Sequence, residues 1–142
     1  MPVFDYRVQT RFSDADGFGH VNNAVYFSYL ENAREQLYRE TRFTELLGRD
    51  RFVLVSHQRI EYRNVLEFRE DPVGVGVWVA RLGRSSFDLA YRVFDPEGET
   101  EYGLAMTGMV VVDRATGRPV PMSQEHRAVL EPWIDAPPVF RG

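Results

Sequence analysis

Residues 13–34 read SDADGFGHVNNAVYFSYLENAR, and this stretch decides the fold. Two aspartates, two glycines, a histidine and two asparagines stand directly against an apolar run. From Asn22 or Asn23 onward, Tyr26, Tyr29, Leu30, Ala33 and Leu37 recur three and four apart, the period of a helix with one buried face. Ala24, Val25 and Phe27 widen that face, so the first turns are expected to be apolar nearly all round, as in a helix enclosed by other elements. Glu31, Arg34, Glu35 and Arg39 mark the C-terminal half as the exposed end, with Glu31 and Arg34 spaced to pair.

On either side the period falls to two. FDYRVQTRF (4–12) predicts a first strand that stops at the turn chemistry of SDADG. FTELLGRD allows one more helical turn ended by Gly48, and FVLVSHQRIEYRNVLEF (52–68) predicts a long strand with Ile60 and Tyr62 in phase. PVGVGVWVARLG puts Val73, Val75, Val77 and Val79 on one face, with small residues and Trp78 on the other. SSFDLAYRVFD and TEYGLAMTGMVVVD, joined through PEGE, extend it into an antiparallel meander. SQEHRAVLEPW predicts a short terminal helix capped by Ser123, and the Pro-rich end is expected to be loose. Strand, long helix, then about four strands is the order of an α+β domain in which one antiparallel sheet covers one helix. Residues 1–142 are expected to form that single domain.

Composition narrows the chemistry. A net charge of −4 over 142 residues argues against general nucleic-acid binding. With no cysteine, disulfides, thiolate zinc sites and a cysteine nucleophile are excluded. All 17 basic residues are arginine, which removes lysine chemistry. His57 and His126 lie in unrelated segments at no ligand spacing, so no metal is expected. No leader-like or bilayer-length apolar run occurs, so a cytoplasmic protein without membrane insertion is expected. There is no G-x-S-x-G for a serine hydrolase.

The polar stretch admits two readings. Asp14, Asp16 and Asn22 suit turns and caps that satisfy the unpaired N–H groups of a helix start. Equally, a glycine-flanked carboxylate beside bare helix-end amides can act on a carbonyl, the amides stabilising developing negative charge and the carboxylate acting from the other side.

The run D-x-D-x-x-G-H-V-N-N-x-x-Y-x-x-Y-x-E-x-A-R (14–34), with RIEYRNVLEFRED (59–71) and RLGRSSF (81–87), resembles the hotdog-fold acyl-CoA thioesterases of the 4-hydroxybenzoyl-CoA thioesterase type. The resemblance implies a hotdog fold, a curved antiparallel sheet around a long central helix, and hydrolysis of an acyl-CoA to acid and free CoA. It makes Asp16 the catalytic carboxylate, as nucleophile or as base, and Asn23 the residue whose backbone N–H meets the thioester oxygen. Asp14 is then structural, and His20 is a candidate catalytic residue whose competing role is ordering the loop. Gly19, Val21, Asn22 and Tyr26 would line the substrate site, and Arg84, Ser85 and Ser86, joined by Arg59 or Arg63, would hold CoA phosphates. No cofactor beyond the CoA of the substrate is implied, an acyl carrier protein could replace CoA as thiol carrier, and a homodimer or homotetramer is expected. The alternatives are a hotdog enoyl-thioester hydratase or dehydratase, and a non-catalytic acyl-CoA-binding module.

Overall fold

The computed structural model describes residues 3–141. Strand β1 (Phe4–Val8) leads through a 3-10 turn (Phe12–Asp14) to helix α1 (Asn23–Thr41), a short helix α2 (Phe43–Leu47) and strand β2 (Arg51–Tyr62). Strands β3 (Val73–Leu82), β4 (Ser86–Phe94) and β5 (Glu101–Asp113) follow, then helix α3 (Gln124–Leu130) and a 3-10 turn (Glu131–Trp133). The five strands form one sheet in the order β1-β3-β4-β5-β2, every neighbouring pair antiparallel. This is the expected α+β arrangement: β3 to β5 are the meander, β1 closes one edge and β2 the other.

The core lies between α1 and one face of the sheet. Val73, Val75, Val77 and Val79 of β3 are all 0% exposed and meet the helix, as their alternation predicts. Phe87, Leu89 and Tyr91 of β4 extend the same surface against Leu30, Ala33 and Leu37. Burying each such side chain contributes about 1.5–3 kcal/mol. Register shifts at Val55/His57 and Val79/Arg81 bend the long strands locally. On the outer face, the Phe94 ring covers Gly74, where a Cβ would collide with it.

Four expectations are corrected. α1 is not apolar all round at its start, because Asn23, Ala24 and Ser28 are exposed. Nor is its C-terminal half the exposed end: the buried stripe runs through Tyr26, Tyr29, Leu30, Ala33, Arg34, Leu37 and Tyr38, because sheet and α2 cover the whole length of one side. The second strand ends at Tyr62, since Asn64 turns to donate its side-chain amide to the Glu101 carbonyl at 2.7 Å and the chain leaves the ladder. Finally, the Pro-rich end is held. Asp135 N–H donates to the Val79 carbonyl at 3.0 Å, Trp78 Nε1 to the Ala136 carbonyl at 2.9 Å, and Arg141 N–H to Glu61 Oε2 at 2.7 Å.

Ser123 caps α3 as expected, accepting from His126 N–H at 3.1 Å. His126 Nδ1 accepts in turn from Ser123 N–H, which leaves its Nε2–H to donate to the Leu46 carbonyl at 3.0 Å. Both ring nitrogens of this buried histidine are thereby satisfied, and its role is structural.

Candidate active site

The polar stretch folds into a small hairpin set on the helix start. Ala15 and Val21 bridge, Asn22 N–H donates to the Asp14 carbonyl at 2.9 Å, and Asp16 N–H donates to the His20 carbonyl at 2.9 Å. Gly19 closes the turn at φ +86°, a left-handed conformation that side chains disfavour. Val21 N–H donates to the Leu66 carbonyl at 2.7 Å, which pins the hairpin to the segment after β2.

The two aspartates have separate fates. Asp14 is buried, and its carboxylate accepts from Tyr29 Oη at 2.6 Å and Arg11 N–H at 2.9 Å, with the Arg11 guanidinium alongside. Burial alone would raise its pKa, but the hydrogen bonds from Tyr29 and Arg11 outweigh it and hold the carboxyl below its ordinary value. Asp14 is therefore the anchor of the loop. Asp16 is half-buried; its Oδ1 accepts from Phe18 N–H at 2.9 Å. Oδ2 has no hydrogen-bond partner among the described residues.

Asn22 caps α1, its Oδ1 accepting from Ala24 N–H at 2.8 Å and its carbonyl from Val25 N–H at 3.0 Å. Among the described residues nothing accepts from the N–H of Asn23, the first of the helix. Asp16, His20, Val21, Asn23 and Tyr26 line one cleft of about 400 Å³ with Tyr62, Arg63, Asn64, Val65 and Leu66. Tyr62 Oη donates to the Asn23 carbonyl at 3.1 Å, and its ring meets Tyr26 edge-on at 5.0 Å. Burial raises the pKa of both phenols, so they stay neutral. The cleft thus joins an apolar, aromatic floor to Asp16 and to Asn23, the first residue of α1.

Sequence reasoning did not assign Asn64, Val65 or Leu66 to the cleft. The signal was the asparagine interrupting the alternation at Asn64, masked by two apolar residues that continue the strand pattern.

The remaining candidates are divided between the cleft edge and the far end of the sheet. Arg63 borders the cleft but is ion-paired with Glu61 at 2.9 Å and Glu101 at 3.1 Å, and also donates to the Val139 carbonyl. Arg59 sits 4.2 Å from the Phe140 ring centre, stacked by the C-terminal segment. Arg84, Ser85 and Ser86 form the β3–β4 turn at the opposite end of the sheet. Ser86 pairs with Val110 and Tyr62 with Gly103, a separation of about 24 Å along β5. Glu31 and Arg34 do pair, at 3.6 Å.

Residues 10–130 match the thioesterase-like superfamily, and the fold is that of a thioester hydrolase. The chain belongs to that family. It is 30% identical over 127 residues to the protein YsmA of Bacillus subtilis, covering 89% of this chain and 84% of that one. Among solved structures, a Thermus thermophilus thioesterase complexed with coenzyme A and zinc is 30% identical, with 92% of each chain covered and a TM-score of 0.76. A Pseudomonas aeruginosa protein is 27% identical, with 95% of this chain and 94% of that one covered and a TM-score of 0.85. Among the described residues, no group of three or more His, Asp or Glu side chains could hold a metal ion, and no helix is long and apolar enough to cross a membrane.

Proposed function

We propose that this protein hydrolyses an acyl-CoA to the free acid and CoA, with Asp16 as the catalytic carboxylate and the Asn23 N–H as donor to the thioester oxygen. The observation that supports the reading is that Asp16 and Asn23, the first residue of α1, line one largely apolar cleft. The thioester carbonyl lies with its oxygen toward Asn23, where the helix start favours the negative charge that develops on addition. Asp16 either attacks the carbonyl carbon, forming an anhydride that water then opens, or takes a proton from the attacking water. Both routes break the C–S bond, and the CoA thiolate leaves and is protonated. His20 and the Gly19–Asn22 backbone shape the mouth of the cleft, and Tyr26 packs against the acyl group. CoA as the carrier is supported by the coenzyme A bound in the Thermus relative.

The proposal extends to a homodimer in the cytoplasm, with residues 1–142 acting as one domain. Support comes from β2, a 12-residue edge strand that is exposed over most of its length, Leu54 at 48% and Val55 at 38% included. Such an edge calls for a partner strand. A second copy pairing antiparallel along β2 would bring its own Arg84–Ser86 turn to the same end of the assembly as Asp16. Those residues, with Arg59, are then the proposed holders of CoA phosphates.

The test is thiol release from a panel of acyl-CoAs of varied length and aromaticity, with wild type and Asp16→Asn. Turnover is expected to fall roughly 10²–10⁴-fold in the variant with folding intact. Near-wild-type turnover by Asp16→Asn would overturn the mechanism. A single turnover in ¹⁸O-water separates the routes: general-base catalysis puts the label in the product acid, whereas direct attack, with water opening the anhydride at the Asp16 carboxyl carbon, leaves it in Asp16 and releases unlabelled acid.

A further inference from the structure

A second cavity, of about 390 Å³, opens between the C-terminal half of α1 and the first half of β2. Val53, Val55 and Met109 form apolar wall, and Arg34 and Tyr38 reach it from the helix. Arg34 is in phase with Leu30, Leu37 and Tyr38 on the buried stripe, which leaves its side chain only 8% exposed. A guanidinium at that depth is costly unless its donors are used. Below it, Tyr91 shares a 2.7 Å hydrogen bond with Thr107 and lies against the guanidinium. Glu31 reaches Nη2 at 3.6 Å, but its own side chain is 64% exposed and the pair is weak. Arg34 Nη1 and Tyr38 Oη, both buried, have no hydrogen-bond partner among the described residues.

We propose that this cavity is a carboxylate-binding site in which Arg34 Nη1 and Tyr38 Oη each donate to the anion. Arg34 and Tyr38, one turn apart on α1, both line this cavity of mixed polar and apolar walls, and their two unpartnered donors match the two oxygens of a carboxylate. The phenol is a donor because burial keeps it protonated. Around the cavity, Arg51 and Arg114 stand against Glu31 and Glu35, so the lining carries one net positive charge with Arg34. That balance accepts one negative charge and opposes the second that phosphate brings.

Two sources offer the same group: a carboxylate at the far end of the acyl chain, or the free acid released by hydrolysis. Naming these sources rests on the thioesterase reading; the binding site does not. A ligand held at both ends of α1 would have to span about 16 Å, the rise from Asn23 to Arg34.

The experiment titrates the full chain with hexanoate, suberate, hexanamide and inorganic phosphate, followed by calorimetry and melting. Carboxylates are expected to bind saturably and raise the melting temperature, while hexanamide and phosphate do not. Arg34→Met and Tyr38→Phe should each weaken hexanoate binding, by roughly tenfold to a hundredfold for the charged partner. Tyr38→Phe should melt no lower than wild type, since the hydroxyl it loses is unpaired, a result that a purely structural tyrosine would not give. Should Arg34→Met fail to fold, Arg34→Lys and Tyr38→Phe carry the test.

The ratio of kcat/KM for tetradecanedioyl-CoA, whose chain is long enough for that span, to that for tetradecanoyl-CoA distinguishes the sources. A ratio that drops in Tyr38→Phe assigns the acyl carboxylate, and an unchanged ratio with weaker inhibition by octanoate assigns the free acid. Equal binding of hexanoate and hexanamide, or hexanoate affinity unchanged in both variants, would overturn the proposal. An inactive protein that still bound carboxylates through Arg34 would sink the hydrolase reading and leave this one standing.

Discussion

Replacing Asn23 by proline removes one N–H and little else. The position is the first of α1, where proline is readily accommodated and the lost donor has no intrahelical acceptor. The residue before it, Asn22, sits at φ −62°, ψ 139°, the extended conformation that a following proline requires. Stability should therefore change by less than about 1 kcal/mol. The proposed chemistry, by contrast, loses its donor to the thioester oxygen, and removal of one such donor costs about 2.7–4 kcal/mol, or roughly 10²–10³ in kcat. Asn23→Ala is the matched control, because it deletes the amide side chain and keeps the N–H. Urea melts and thiol-release kinetics on both variants give the answer. The expected pattern is two folded proteins of near-wild-type stability and KM, with kcat lost only in the proline variant. A folded Asn23→Pro that turns over like wild type, or an Asn23→Ala that loses as much, refutes the assignment.

Asp14→Asn should behave in the opposite sense to Asp16→Asn, losing stability. Its two short bonds, to Tyr29 Oη and Arg11 N–H, lose their charge assistance, about 1 kcal/mol each and so about 2 kcal/mol in all. The pH dependence follows from its lowered pKa: the contribution is complete above the unfolded value of about 3.9 and is lost as pH falls through the folded value. The gap between wild type and Asp14→Asn in urea midpoint should thus close in acid, and a gap that persists there would show the charge to be irrelevant. For the β2 edge, Leu54→Arg should shift light scattering from dimer to monomer and abolish turnover if the site needs its second copy; a monomeric wild type would dismiss the dimer outright.

What could be read from the sequence follows where each face of an element meets a single environment. The valines of β3 alternate cleanly because one face meets α1 and the other meets Phe94 and the C-terminal segment, so period two survived into the structure. The helix start was legible because Asn22 is both a good cap and the point where the period changes. Arg34 was misplaced because an arginine among glutamates reads as a wet face. Its burial depends on Tyr91 and Thr107, far along the chain, which supply the polar floor beneath it. Val65 and Leu66 were assigned to a strand because apolar residues continue a strand pattern whether or not the ladder does. The C-terminal segment was expected to be loose because proline-rich composition lacks backbone donors. It is held by its own Asp135 and Arg141 N–H groups and by donors from Trp78 and Arg63 that reach its carbonyls.

The bond from Val21 N–H to the Leu66 carbonyl has a consequence for how the molecule comes together. One wall of the cleft precedes α1 and the other follows β2, and among the described strands β2 pairs with β5 alone, still later in the chain. Contacts this far apart in sequence form slowly, after the entropy of closing long loops has been overcome. No fragment ending before β5 can therefore hold both walls in place, and the Val21 amide should exchange through local opening, well before the amides of the central strands.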